Sequence, residues 1–111
     1  MTNPTELVEE YFRVAPGVDT AAYLAQFADD ATVEDEGHEY RGIDAIRAWR
    51  GEVPPVSYAV GDVTSSDGEY VALAEITGEF PGSPVTLAFR FTFTGDGLVQ
   101  KLTIRPSAQN A

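Results

Sequence analysis

Cysteine is absent from the 111 residues, which excludes disulfides, thiolate metal sites and cysteine nucleophiles. A single histidine, His38, leaves too few donors for a transition-metal centre, so neither a metal nor a cofactor is expected. No apolar run nears the ~20 residues that a membrane helix requires. Positive charge is scarce: seven Lys and Arg stand against 18 Asp and Glu, a formal net charge of −11. Such a surface repels phosphate backbones and anionic lipid, and neither nucleic acid nor membrane is expected as a partner. There is no glycine-rich phosphate loop, no dinucleotide fingerprint and no Ser-His-Asp grouping. The opening Met1-Thr2-Asn3-Pro4-Thr5-Glu6 has neither the basic nor the apolar region of a signal peptide, which makes the cytoplasm the expected location.

What remains is the material of one small domain, expected over residues 1–106 with 107–111 as a loose tail. Asn3 is a good cap, Pro4 suits a first helical turn, and Glu6 completes a pattern like a capping box. Leu7, Val8, Tyr11, Phe12 and Ala15 recur at helical spacing, predicting a helix over 4–14 that Pro16-Gly17 stops. Asp19 caps a second helix with Tyr23, Leu24, Phe27 and Ala28 as its apolar stripe. Residues 31–35 read as a short strand, 36–41 as a polar loop, and Ile43, Ile46 and Trp49 as one face of a third helix that Gly51 and Pro54-Pro55 end. Strands follow near 56–64, 69–80, 84–94 and 98–105, separated by good turn sequences. Three helices gathered before one antiparallel sheet predict an α+β fold with the helices on one face.

Period-two alternation sorts the strands. Val85, Leu87, Phe89, Phe91 and Phe93 share one face, as do Leu102 and Ile104, and Ala74, Ile76, Gly78 and Phe80; these faces must meet the helices. Arg90, Lys101, Arg105 and Glu75 point the other way with several threonines. Small residues at Ala72, Ala74 and Gly78 beside a row of phenylalanines fit either an apolar pocket or a dense interdigitated core, and Gly78 predicts a bend.

Val33 and Asp35 lie two apart on the first strand and point the same way. An inward carboxylate at a strand end is costly unless hydrogen-bonded or used, and burial would push it toward the range of a general base. Alternatively, Asp35 opens the turn into Glu36-Gly37. Tyr11 lies on the buried stripe of the first helix, where its hydroxyl needs a partner and could donate to negative charge developing on a substrate oxygen. His38, just past Asp35, is either a second acid–base group or an exposed loop residue.

The stretch Phe27-Ala28-Asp29-Asp30-Ala31-Thr32-Val33-Glu34-Asp35 resembles the segment carrying the catalytic base of bacterial ketosteroid isomerases. These belong to the nuclear transport factor 2-like superfamily, together with SnoaL-like polyketide cyclases. The resemblance continues through Tyr40-Arg41-Gly42 and Ile46-Arg47-Ala48-Trp49, then more loosely through Phe91-Thr92-Phe93 and Gly97-Leu98-Val99. It implies a cystatin-like α+β barrel, a strongly curved sheet whose cone-shaped pocket the helices close. It places Asp35 on the proton-shuttling aspartate and Tyr11 on the oxyanion-donating tyrosine, with the family's own interval of 24 residues between them. Phe27, Val33, His38, Trp49, Ala74, Ile76, Phe89, Phe91, Leu102 and Ile104 would contact the substrate. Two departures stand out. Phe89 occupies the position of the second oxyanion donor, a protonated aspartic acid in the isomerases and a known case of a carboxyl kept neutral by its site. Arg50 stands where a tyrosine supports the first. The implied activity is cofactor-independent proton transfer on a small apolar, cyclic carbonyl compound; a non-catalytic binding domain is the alternative. The resemblance also implies a homodimer through the outer sheet face, with Arg set against Glu.

Overall fold

Helix α1 (Pro4–Val14) forms where the apolar residues recur at three- and four-residue steps: Val8, Tyr11 and Phe12 are buried with Ala15 beyond them, while Glu9, Glu10 and Arg13 face water. The computed structural model describes residues 4–16, 19–35, 37–52, 56–66, 68–79 and 83–106. The expected cap at Asn3, the Pro54-Pro55 stop, Phe80 and the tail at 107–111 lie outside the described residues.

Helix α2 (Thr20–Leu24) starts as read, with the Asp19 carboxylate accepting from the backbone N–H of Ala22 at 3.0 Å. It is shorter than its spacing predicts. Phe27 and Ala28 open strand β1 (Phe27–Asp35) instead of closing the helix, so the strand is nine residues long rather than five. The 36–41 stretch is also corrected. Strand β2 (His38–Arg41) folds back on β1 in a hairpin whose turn needs Gly37 at φ 81°, a left-handed conformation that costs glycine little. Only Tyr40 of its four residues is even half-buried, so an edge strand with little apolar signal reads as a loop.

Helix α3 (Ile43–Glu52) follows at once and buries Ile46 and Trp49. Strands β3 (Ser57–Ser66), β4 (Glu69–Thr77), β5 (Val85–Phe93) and β6 (Val99–Pro106) then run as an antiparallel meander. The six strands form one curled sheet in the order β2-β1-β6-β5-β4-β3. It is mixed rather than purely antiparallel, because β6 returns beside β1 in the same direction, with Val33 opposite Leu102 and Asp35 opposite Ile104. Helix α1 lies over β3 and β4, α3 over β1 and β2, and α2 touches both helices.

The bend expected at Gly78 is elsewhere. Strand β4 ends at Thr77, and the Gly78 N–H is taken by the Ser83 hydroxyl at 3.0 Å. In the β3–β4 ladder the register shift falls in β3, between Val60 and Val63. Gly61 lies inside that shift, and a β-carbon there would sit 3.5 Å from the Leu73 carbonyl oxygen. The small inward residues of β4 make room for rings: Ala72 pairs with Phe89 across the sheet, and the Phe12 ring stands edge-on to Phe89 at 5.0 Å between centroids.

Candidate functional site

Tyr11 is 2% exposed and its ring lies within 5.1–6.4 Å, centroid to centroid, of Phe12, Tyr23, Phe27, Phe89 and Phe91. Its hydroxyl has the partner that burial demands: Tyr11 and Tyr23 share a hydrogen bond of 2.7 Å. The sequence reading left Tyr23 in an apolar stripe. The rule applied to Tyr11, that a buried phenol seeks a polar partner, would have singled out Tyr23 as well.

Asp35 is half-buried at the end of β1, and the indole N–H of Trp49 donates to its carboxylate at 3.0 Å. Val33, on the same face, is fully buried. The carboxylate therefore points toward the core side and is held from α3 rather than merely opening the hairpin turn. His38 is exposed and sits directly across the β1–β2 ladder from Asp35. Opposed residues of an antiparallel pair project to one face, with β-carbons about 5 Å apart. The ladder thus brings the histidine beside the acid.

Arg50, next to Trp49 in the last turn of α3, reaches inward. Its guanidinium lies over the Tyr23 ring at 4.3 Å and donates to the Ala15 carbonyl that ends α1, and its charge favours ionisation of the Tyr58 phenol of β3. Tyr58 is half-buried, with its ring 5.7 Å from Phe12 and 6.3 Å from Phe89. Strand β3 received no face assignment from its alternation, so Tyr58 was missed entirely.

The electrostatics join these groups. Burial pushes the Tyr11, Tyr23 and Tyr58 phenols above the ordinary phenol range; Arg50 opposes the rise at all three, and the Asp35 charge adds to it at Tyr23 and Tyr58. The Asp35 charge acts on the phenols of α2 and β3. The Tyr11 hydroxyl is bonded to that of Tyr23.

The remaining expected contacts sort by depth. Phe27, Val33, Trp49, Ala74, Ile76, Phe89, Phe91, Leu102 and Ile104 are all buried parts of one core. The polar groups Asp35, Arg50 and Tyr58 lie at its half-buried edge. Phe89 carries no donor at its position and packs on Tyr11 and Phe12. Arg90 is exposed and pairs with Glu69 at 3.2 Å, outside the core side. Among the described residues no group of three or more His, Cys, Asp or Glu could hold a metal ion. No described helix is long and apolar enough to cross a membrane.

A curled mixed sheet backed by three helices, with an acid, phenols and a cation at the edge of its aromatic core, has the architecture of the nuclear transport factor 2-like class. Residues 8–101 match the SnoaL-like domain family, and the chain belongs to that family. A protein from Sinorhizobium meliloti assigned as a polyketide cyclase is 33% identical over 94% of this chain and all of its own, with a TM-score of 0.83. A protein from Sphaerobacter thermophilus is 28% identical over 95% of this chain and 96% of its own, TM-score 0.80. An epoxide hydrolase/cyclase-like enzyme of pyran ring formation in the polyether salinomycin shares the fold at 23% identity, covering 95% of this chain and 91% of its own, TM-score 0.73. No protein of curated function matches the chain.

Proposed function

We propose that the protein is a cofactor-independent enzyme that moves a proton on carbon next to a carbonyl of a small apolar, cyclic compound, in the manner of an isomerase or cyclase. The observation that carries this reading is the Asp35 carboxylate, half-buried and hydrogen-bonded by Trp49 at the edge of an aromatic core. One carboxylate oxygen accepts from the indole, which orients the group as a general base. Tyr11 and Tyr23 share one hydrogen bond, and the one phenol proton this leaves is a donor for the oxygen on which charge develops. The 33%-identical relative assigned as a polyketide cyclase supports chemistry of this kind. His38, exposed and opposite Asp35, is placed to exchange the proton with water.

The reaction is tested by following exchange of the α-hydrogens of cyclic ketones for deuterium by NMR. Wild-type protein accelerates exchange, and Asp35→Asn lowers the acceleration about a hundredfold or more while leaving the fold intact. Equal rates in the two proteins would remove Asp35 as the base. A second reading, ligand binding without turnover, draws on one feature: Phe89, where the isomerases hold a donor, is an apolar ring 2% exposed. Thermal stabilisation by ketones with no exchange at any of them would favour it.

We propose further that two copies pair through the outer sheet face in the cytoplasm. Leu73 is 37% exposed there, and Glu75 and Lys101 are exposed without being drawn into the core. Arg90 and Arg105 already pair with Glu69 and Glu34 of their own chain, so apolar contact around Leu73 carries more of the proposed association than exchanged ion pairs. Light scattering at micromolar concentration is expected to give a dimer's mass; a monomer's mass refutes the pairing.

A further inference from the structure

Phe89 removes one oxyanion donor from the place where the resemblance expects it, and Arg50 brings a permanent cation to a different one. We infer that Arg50 and Tyr58 complete the oxyanion subsite beside the Tyr11–Tyr23 pair, stabilising the carbonyl oxygen of the substrate as it becomes negative and selecting ligands whose apolar body ends in an acidic enol or phenol. The inference rests on the proton-transfer reading above and says where the developing charge sits.

Geometry makes the case. The guanidinium is held on two sides: it stacks on the Tyr23 ring at 4.3 Å and donates to the Ala15 carbonyl, while its charge acts on the Tyr58 phenol. A cation fixed in this way needs no reorganisation when an anion forms beside it, the property that makes oxyanion stabilisation effective. Tyr58 comes from β3, at the opposite end of the sheet order from β1 and β2, and is half-buried with its ring against Phe12 and Phe89. Asp35 acts on Tyr58 and Tyr23 through space, and both phenols also feel Arg50. The base and the cation therefore act on the same two phenols in opposite senses. Trp49 and Arg50 are consecutive in α3, so one helical turn positions the base through the indole and the oxyanion donor through the guanidinium.

The alternative account is that Arg50 is a structural clamp joining α1, α2 and β3. The two roles differ in what they do to a bound anion. A clamp is indifferent to it, whereas an oxyanion subsite raises the ionised fraction of a bound phenol.

The probe is 2-naphthol, whose neutral and ionised forms absorb at different wavelengths, with 2-methoxynaphthalene as the form that cannot ionise. Wild-type protein is expected to bind naphthol and to raise its ionised-to-neutral ratio about tenfold over that in buffer at the same pH, the effect of one charge-assisted hydrogen bond. Arg50→Met abolishes the rise with little change in methoxynaphthalene binding, Arg50→Lys keeps part of it, and Tyr58→Phe, which preserves the ring, reduces it. Asp35→Asn retains or increases the rise, because it removes an opposing charge. Naphthol that does not bind, or whose ionisation is the same in wild type, Arg50→Met and Tyr58→Phe, overturns the inference. A rise that depends on Arg50 in a protein that exchanges no ketone proton upholds the subsite and rejects turnover, so the two failures are distinguishable.

Discussion

Two regions of this molecule hold arginines against opposite chemical backgrounds, and the contrast shows where charge matters. On the surfaces, Arg13, Arg41, Arg47, Arg90 and Arg105 each meet a carboxylate across 3.4 Å or less, with arginine side chains 48–75% exposed. Pairs of this kind gain little in high dielectric, about 0–1 kcal/mol each. Arg50 sits instead between a tyrosine ring, a helix-ending carbonyl and a second phenol at the edge of the core. There the dielectric is lower and each interaction is correspondingly stronger. The chain spends five of its seven basic residues on solvated pairs and one on the candidate site.

The sharpest test of this contrast is in the buried phenol pair. Tyr11→Phe strands the Tyr23 hydroxyl in the core and is expected to cost about 1–3 kcal/mol in urea unfolding. The double variant Tyr11→Phe/Tyr23→Phe removes both partners and costs less than the sum of the two single changes. Strict additivity would show that the hydroxyls are not coupled.

Alkaline pH probes the same groups by another route. The folded state holds the Tyr11, Tyr23 and Tyr58 protons more tightly than the unfolded chain does. Their contribution to stability is therefore complete below the free-phenol value of about 10 and is lost as pH rises beyond it. Tyrosinate absorbance of these three residues should appear only as the fold gives way. In Tyr11→Phe/Tyr23→Phe the decline of stability with pH should be shallower; an unchanged slope would deny that these phenols resist ionisation. At the small end, Arg105→Ala breaks the 2.8 Å pair with Glu34 and is expected to cost about 0–1 kcal/mol, vanishing near 1 M salt. A larger, salt-insensitive loss would mean that the outer face is not the weakly coupled region described here.

Much of this was legible in the sequence, and the parts that were not share a cause. Helix α1 is predicted with its observed bounds because its apolar residues leave a single stripe. The meander is legible because alternation and turn residues agree. Phe27 and Ala28 mislead because they extend the three- and four-residue spacing of Tyr23 and Leu24, and only pairing with β6, through Phe27 opposite Val99, makes them a strand. His38–Arg41 is a strand by virtue of its ladder to β1 alone. Asp35 was found by its position two residues from Val33 and by resemblance, but its Trp49 partner is fourteen residues away on a helix, a distance that no local pattern spans. Tyr23 was open to the rule that a buried phenol needs a partner and Tyr58 was hidden by the unassigned faces of β3, but the approach of Arg50 to the Tyr23 ring joins separate helices and exists only in the fold.

The most direct measurement of the central claim, that the Asp35 carboxylate carries the proton, is chemical rescue of Asp35→Ala. With a cyclic ketone in deuterated buffer, the variant should exchange no faster than buffer alone and should recover activity in proportion to added acetate, which supplies a carboxylate to the emptied place. Exchange by Asp35→Ala at the wild-type rate without acetate would contradict the account.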